Sequence, residues 1–175
     1  GGMGRRGSSG ITTNSSVGFY FNDKISDQTK ISVDYRYDHS KTENDQYQRV
    51  ENLLPDRPFI SESNTISMSQ TNGHNASTNL EWNKNNTKIL INPSFGQTNS
   101  NSERSYNDEN LTNAGELRNQ RSGQAMNDSK ANNFSNQFTV FQKFKNNSYL
   151  NFNFDFRYND NNSNQFTDET TNFVD

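Results

Sequence analysis

Apolar and polar residues alternate along this chain in short, repeated bursts. The cleanest burst runs from Leu150 to Tyr158, where Leu150, Phe152, Phe154, Phe156 and Tyr158 interleave with Asn151, Asn153, Asp155 and Arg157. Successive side chains of an extended strand point to opposite faces, so this spacing predicts a strand with one apolar and one wet face. The same pattern puts Val17, Phe19 and Phe21 on one face, and Ile31, Val33, Tyr35 and Tyr37 on another opposed by Ser32, Asp34, Arg36 and Asp38. Thr78, Leu80 and Trp82 repeat it, as do Ile89, Ile91 and Phe95, and then Phe134, Phe138 and Val140. Pro93, Leu90, Asn136 and Phe141 are the irregular positions.

Turn-forming residues separate these runs in pairs. Short turns are expected near residues 25, 85 and 146, at Asn22–Asp27, Asn83–Asn86 and Lys145–Asn147. Between the hairpins lie long polar stretches, 39–75 and 97–133, which read as long loops. The first has an apex at the Pro55 and Pro58 knot, with Ile66 and Met68 hinting that the flanking strands run on. The second has an apex at Asn107–Asn110. Residues 1–10 read as a flexible lead-in. The predicted class is all-β: an antiparallel up-and-down meander of about six long strands over 11–175, with almost no helix.

Two-faced strands with short turns at one end and long excursions at the other suit a transmembrane β-barrel. There, strands of ~9–11 residues cross an apolar band ~25 Å tall, with aromatic girdles at both interfaces. The predicted lipid-facing residues are Phe19, Phe21, Ile31, Val33, Tyr35, Leu80, Trp82, Ile89, Ile91, Phe152, Phe154 and Phe156. The predicted lumen-facing residues are Asp34, Arg36, Asp38, Glu81, Asp155 and Arg157. No ionised residue falls on the proposed lipid faces of 17–21, 31–37, 78–82, 89–95 and 150–158. Lipid enforces such segregation, since Arg or Lys at the midplane costs ~2–4 kcal/mol, although a soluble sandwich core enforces it as well. Six strands are too few to close a membrane barrel, because the smallest have ~8. The chain therefore reads as part of a larger barrel, a piece of a longer protein.

Composition sharpens this picture. Only 27% of the 175 residues are hydrophobic, and the mean hydropathy is −1.19. A compact soluble core would be thin at that content, against ~45–50% apolar in ordinary domains when Gly is counted. The net charge of −3 and the scattered Lys and Arg argue against a nucleic-acid partner. With no Cys there is neither a disulfide scaffold nor a thiolate metal site. No phosphate loop, nucleophile elbow or spaced His cluster is present, so neither an enzyme nor a cofactor is expected. His39 and His74 read as isolated polar residues rather than metal ligands, and Glu43, Asp45, Asp108 and Glu109 as solvated acids. The sequons at Asn14 and Asn75 are expected by chance in so Asn-rich a chain.

Three stretches carry a family resemblance: Gly4–Ile11 leading into Val17–Phe21, then Ser32–Tyr37 with its polar trail, then Asn151–Tyr158. In pattern and texture these resemble the TonB-dependent-receptor-like outer membrane β-barrel family of Gram-negative bacteria, particularly its Asn/Ser-rich Bacteroidota type. The resemblance implies a cell outer membrane location and a parent protein with a plug domain and a TonB-interacting segment. It also implies import of siderophores, vitamins or glycans. Neither plug nor TonB box is found in these residues, so transport is implied for the parent. The expected partners are outer membrane lipid, the parent's remaining strands and plug, and TonB through the parent. The competing readings are a secreted or cell-surface all-β adhesin module with a sandwich core, and a disordered Asn/Ser-rich segment. The strict alternation at 31–38 and 150–158 counts against the second of these.

Overall fold

A computed structural model describes residues 3–53 and 58–174. It contains six strands: β1 (Met3–Ser26), β2 (Thr29–Asn52), β3 (Phe59–Lys84), β4 (Thr87–Thr112), β5 (Leu117–Lys143) and β6 (Tyr149–Phe173). Every strand pairs antiparallel with the next, in the order β1-β2-β3-β4-β5-β6. The all-β, up-and-down meander expected from the alternation is therefore the fold, with no helix among the described residues.

Three tight turns join the strands at one end. Asp27–Gln28 closes the first hairpin, and Lys24 Nζ reaches Asp27 Oδ1 at 2.8 Å. Asn85 closes the second at φ 53°, and Asn147 closes the third at φ 62°. Asn tolerates this left-handed region better than other residues with a Cβ. At the third turn the backbone N–H of Phe144 donates to the Ser148 carbonyl at 2.8 Å, and that of Asn147 donates to the Phe144 carbonyl at 3.1 Å.

The opposite ends differ from the expectation. The stretches 39–75 and 97–133 are not long loops. Strand pairing continues through 39–52 and 59–75, and again through 97–112 and 117–133. Asn107–Asn110 is no apex either: these residues sit in β4 opposite Asn119–Ser122. The true turn lies at Asn113–Glu116. Gly115 takes φ 84° there, and the Glu116 N–H donates to Thr112 Oγ1 at 3.1 Å. Residues 3–10 likewise belong to β1, with Met3 paired to Glu51, so they form no separate lead-in. The polar tail Asn159–Asn172 continues β6. Of the expected Pro55–Pro58 apex, residues 54–57 lie outside the described residues.

The strands are 24–27 residues long, or about 80–90 Å at ~3.4 Å per residue. Strands of globular domains usually have ~5–6 residues. A single layer also leaves nothing to form a core. Among the described residues no hydrophobic side chain is buried. Sheets with an apolar face normally bury it against another layer, so this apolar face needs a covering surface from outside the sheet.

Candidate functional site

Residues directly opposite each other on neighbouring strands share a face of the sheet. The register runs from Phe19 through Tyr35, Ala76, Phe95 and Phe134 to Tyr158. Two residues nearer the tight turns it runs from Phe21 through Val33 to Thr78, while Asn136 faces Phe156. The next row aligns Ile31, Leu80, Ile91, Phe138 and Phe154, and the one after it Trp82, Ile89, Val140 and Phe152. All the residues expected to face lipid thus occupy one face, as a band confined to the tight-turn end. Polar residues also fall within that zone: Asn136 opposite Phe156, Lys84 and Gln142 in the row of Leu150, and Asp23. Asp23 shares the face with Ile31 next to the first turn, and its Oδ1 accepts the Lys24 backbone N–H at 2.7 Å.

The band is short compared with the strands. On β6 it extends from Leu150 to Tyr158, about 27 Å along the strand. Beyond it the same face becomes mainly polar, with His39, Lys41, Glu43 and Asp45 on β2 and Asp160, Asn162 and Asn164 on β6. Ile11, Ile66, Met68, Met126 and Phe166 are scattered among them. The boundary is marked by ring and amide contacts. Tyr35 Oη and His74 Nδ1 are hydrogen-bonded at 2.8 Å, and the rings of Tyr37 and His74 lie 4.9 Å apart. Tyr37 Oη donates to Asn72 Oδ1 at 2.9 Å, and His39 Nδ1 binds the same oxygen at 2.8 Å. Both histidines therefore have separate partners in this polar margin. Among the described residues no group of three or more His, Cys, Asp or Glu is placed to hold a metal ion.

The opposite face is mainly polar, with Tyr20, Leu90, Phe141 and Tyr149 as exceptions near the tight turns, and carries Asp34, Arg36, Asp38, Glu81, Asp155 and Arg157 together. Its floor is built from small residues. One row reads Asp34, Ser77, Ser94, Ser135 and Arg157 across β2–β6, and the next reads Arg36, Asn75, Gly96, Asn133 and Asn159. Arg36 Nε donates to Asp38 Oδ2 at 2.8 Å, and Glu81 pairs with Lys88 Nζ at 3.2 Å. Asp34 and Arg157, at opposite ends of the serine row, line a single concavity of about 500 Å³.

Sequence reasoning missed a cluster far from the tight turns on this polar face. The Tyr106 ring lies over Gly123, and its hydroxyl donates to Glu169 Oε2 at 2.6 Å. The Arg104 and Arg121 guanidinium groups stand 5.5 and 5.3 Å from the ring centroid. Arg121 Nη2 donates to Asp108 Oδ2 at 2.9 Å, and Ser63 Oγ donates to Asp108 Oδ1 at 2.5 Å. Asp108 is thus a member of a network spanning β3–β6 rather than a solvated loop acid. The Glu169 carboxylate holds the Tyr106 hydroxyl above the usual tyrosine range, and Asp108 raises Arg121 further. The available signal was Tyr106 two residues from Arg104 on one side and Asp108 on the other, but it reads as a wall only once the register is known.

No protein-family model matches this chain, and comparison with curated proteins finds no match.

Proposed function

We propose that this chain forms part of the wall of an outer membrane β-barrel of the TonB-dependent-receptor type, serving uptake of a solute in its parent protein. One observation carries the reading: apolar residues are concentrated in a band at the same level on all six strands, while the strands run far beyond it. There they carry only scattered apolar residues, such as Ile11, Ile66, Met126 and Phe166, among charged and polar ones. A sandwich core would need apolar residues wherever a second sheet covered the first. A bilayer asks only for a stripe. The roughly 27 Å along β6 becomes ~19–22 Å once strands tilt by ~35–45°, close to the apolar band of ~25 Å in such barrels.

The outer edges of β1 and β6 have no partner strand among the described residues. Unpaired edge groups in hydrocarbon cost several kcal/mol each, so in this reading further strands of the parent close the barrel. The polar face, with Asp34, Arg36, Asp38, Glu81, Asp155 and Arg157, lines the lumen. The polar ends of the strands extend the wall beyond the membrane surface.

Fractionation of cells expressing the parent protein tests this. Recovery in the outer membrane, with extraction by detergent only, is the expected result. A soluble, folded, monomeric product without detergent overturns it and favours the secreted sandwich module, whose apolar face would be covered by protein.

A further inference from the structure

We infer that the concavity between Asp34 and Arg157 is a cradle for a short, extended peptide with free termini: its ammonium group at Asp34 and its carboxylate at Arg157. The inference rests on the reading of the polar face as the solute-facing side and names the class of solute.

The two charges are of opposite sign and are available. Asp34 and Arg157 make no hydrogen bond or ion pair among the described residues, whereas Arg36 is engaged by Asp38 and Glu81 by Lys88. They sit at the two ends of one register row, four strand spacings apart. At ~4.8 Å per spacing that is about 19 Å along the sheet. A small zwitterion cannot touch both ends. An extended peptide spans ~3.3–3.6 Å per residue, so five or six residues match the length.

The floor suits a backbone rather than a particular side chain. Ser77, Ser94 and Ser135 lie between the charges, with Ser94 and Ser135 hydrogen-bonded at 2.7 Å. Beside them, the amides of Asn75 and Asn133 flank Gly96, where an added Cβ would meet Asn75 Oδ1 at 3.3 Å. Gly96 keeps the middle of the floor low, and the flanking amides can both donate to and accept from peptide groups. No ionised residue stands between Asp34 and Arg157 in this row, so nothing there selects a side-chain charge. Asp155 is the group opposing an anion, two residues from Arg157 on the same face. It does not line the concavity; Asn159 and Asn133 do, on the other side of the guanidinium.

The test is calorimetric titration of the detergent-solubilised parent protein with pentaalanine, its N-acetylated form, its C-amidated form and the doubly blocked form. The free peptide is expected to bind, and each block to weaken it about tenfold, the scale of one charge-assisted contact. Asp34→Asn should weaken the peptides with a free amine and leave the N-acetylated form unchanged. Arg157→Gln should weaken those with a free carboxylate and leave the amidated form unchanged. This cross-pattern cannot arise from general damage to the sheet. Equal binding of free and doubly blocked peptide, no binding at all, or variants that weaken every form alike overturns the inference. Such a result from a protein recovered in the outer membrane leaves the barrel reading standing, and a soluble protein overturns the barrel whatever the titration gives.

Discussion

The same six strands behave as two materials. Near the tight turns, one face is apolar and the other polar, and the sheet has a definite inside and outside. Away from the turns both faces are mainly wet, with only scattered apolar residues such as Ile66 and Phe166, and side-chain polar networks are prominent. Ile91 illustrates the first region, set between Leu80 and Phe138 in register. Tyr106 illustrates the second, tied to Glu169 across the intervening strand and flanked by two guanidinium groups. Backbone pairing runs through both, with a gap between β3 and β4 at Thr78–Asn79 opposite Asn92–Pro93, so the contrast lies in what each face is prepared to meet. Burial is a weak guide here, because a single layer leaves nearly every side chain exposed or half-buried. Position along the strand is the informative coordinate.

The largest expected effect breaks the contrast at Ile91. Ile91→Lys puts an ammonium group in the middle of the apolar band and should cost ~2–4 kcal/mol in a bilayer. Ser105→Lys, on the same strand and the same face but beyond the band, should stay within ~0.5 kcal/mol. Unfolding titrations of each variant in lipid vesicles measure both. Comparable losses at the two positions would show that the apolar face is one continuous surface, and the two-region description would fail.

These regions were unequally legible in the amino-acid sequence, and the reason is physical. Alternation is visible only where the two faces differ. Ile31–Asp38 and Leu150–Tyr158 announce themselves because an apolar side chain follows every polar one. In 61–71, Ser61, Ser63, Thr65, Ser67, Ser69 and Thr71 face one way and Glu62, Asn64, Ile66, Met68 and Gln70 the other. Only Ile66 and Met68 distinguish the two faces there, so the period of two leaves little contrast. Asn, Ser and Asp also favour turns locally, and this made 39–75 and 97–133 look like loops. Asn107–Asn110 has turn chemistry but lies within a strand. The turn itself falls where Gly115 supplies a positive φ. The tight turns at Asn85 and Asn147, by contrast, lie where Asn clusters interrupt clear alternation on both sides.

The candidate site was legible in half. Alternation alone assigns Asp34 and Arg157 to the polar faces of their own strands. That they lie in one row depends on the pairing offsets of four intervening hairpin joins. The join between β2 and β3 passes through the proline-containing stretch at 53–58, whose length in space no local pattern gives. Likewise, Gly123 looks like an ordinary strand glycine until Tyr106 is found opposite it in β4.

Gly123 gives the intermediate effect and sharpens the comparison from the polar end. A Cβ built there would lie 2.6 Å from both the Tyr106 hydroxyl and the Asp168 carbonyl oxygen. Gly123→Ala must therefore move the ring or the β6 backbone, at about 1–3 kcal/mol as for other overpacked sites. The loss should be local. Amide exchange should rise around Ser122–Gln124 and Asp168–Thr170, while protection of Leu80–Trp82 and Ile89–Ile91 is unchanged. Uniform loss of protection along the strands would mean that the two regions unfold as one unit.

The smallest effect concerns pH and belongs to Tyr106 alone. Its hydroxyl titrates above the ordinary tyrosine value because the hydrogen bond to Glu169 favours the neutral phenol, with the nearby carboxylate charge acting the same way. A group whose value is raised on folding contributes its stabilisation in full below the ordinary tyrosine value of ~10 and loses it as pH climbs through the raised value. The Tyr106–Glu169 bond should therefore persist through neutral and mildly alkaline pH and weaken only at strongly alkaline pH. Tyrosinate absorbance, taken as the difference between the wild type and Tyr106→Phe, isolates this one phenol. In Glu169→Gln the same difference should titrate at lower pH, because the neutral amide accepts a hydrogen bond without penalising the phenolate by charge. If Glu169→Gln leaves the Tyr106 titration in place, the carboxylate is not what holds the ring across Gly123. The stiffening of the polar region would then rest on the Arg121–Asp108 pair, which the same variant leaves intact.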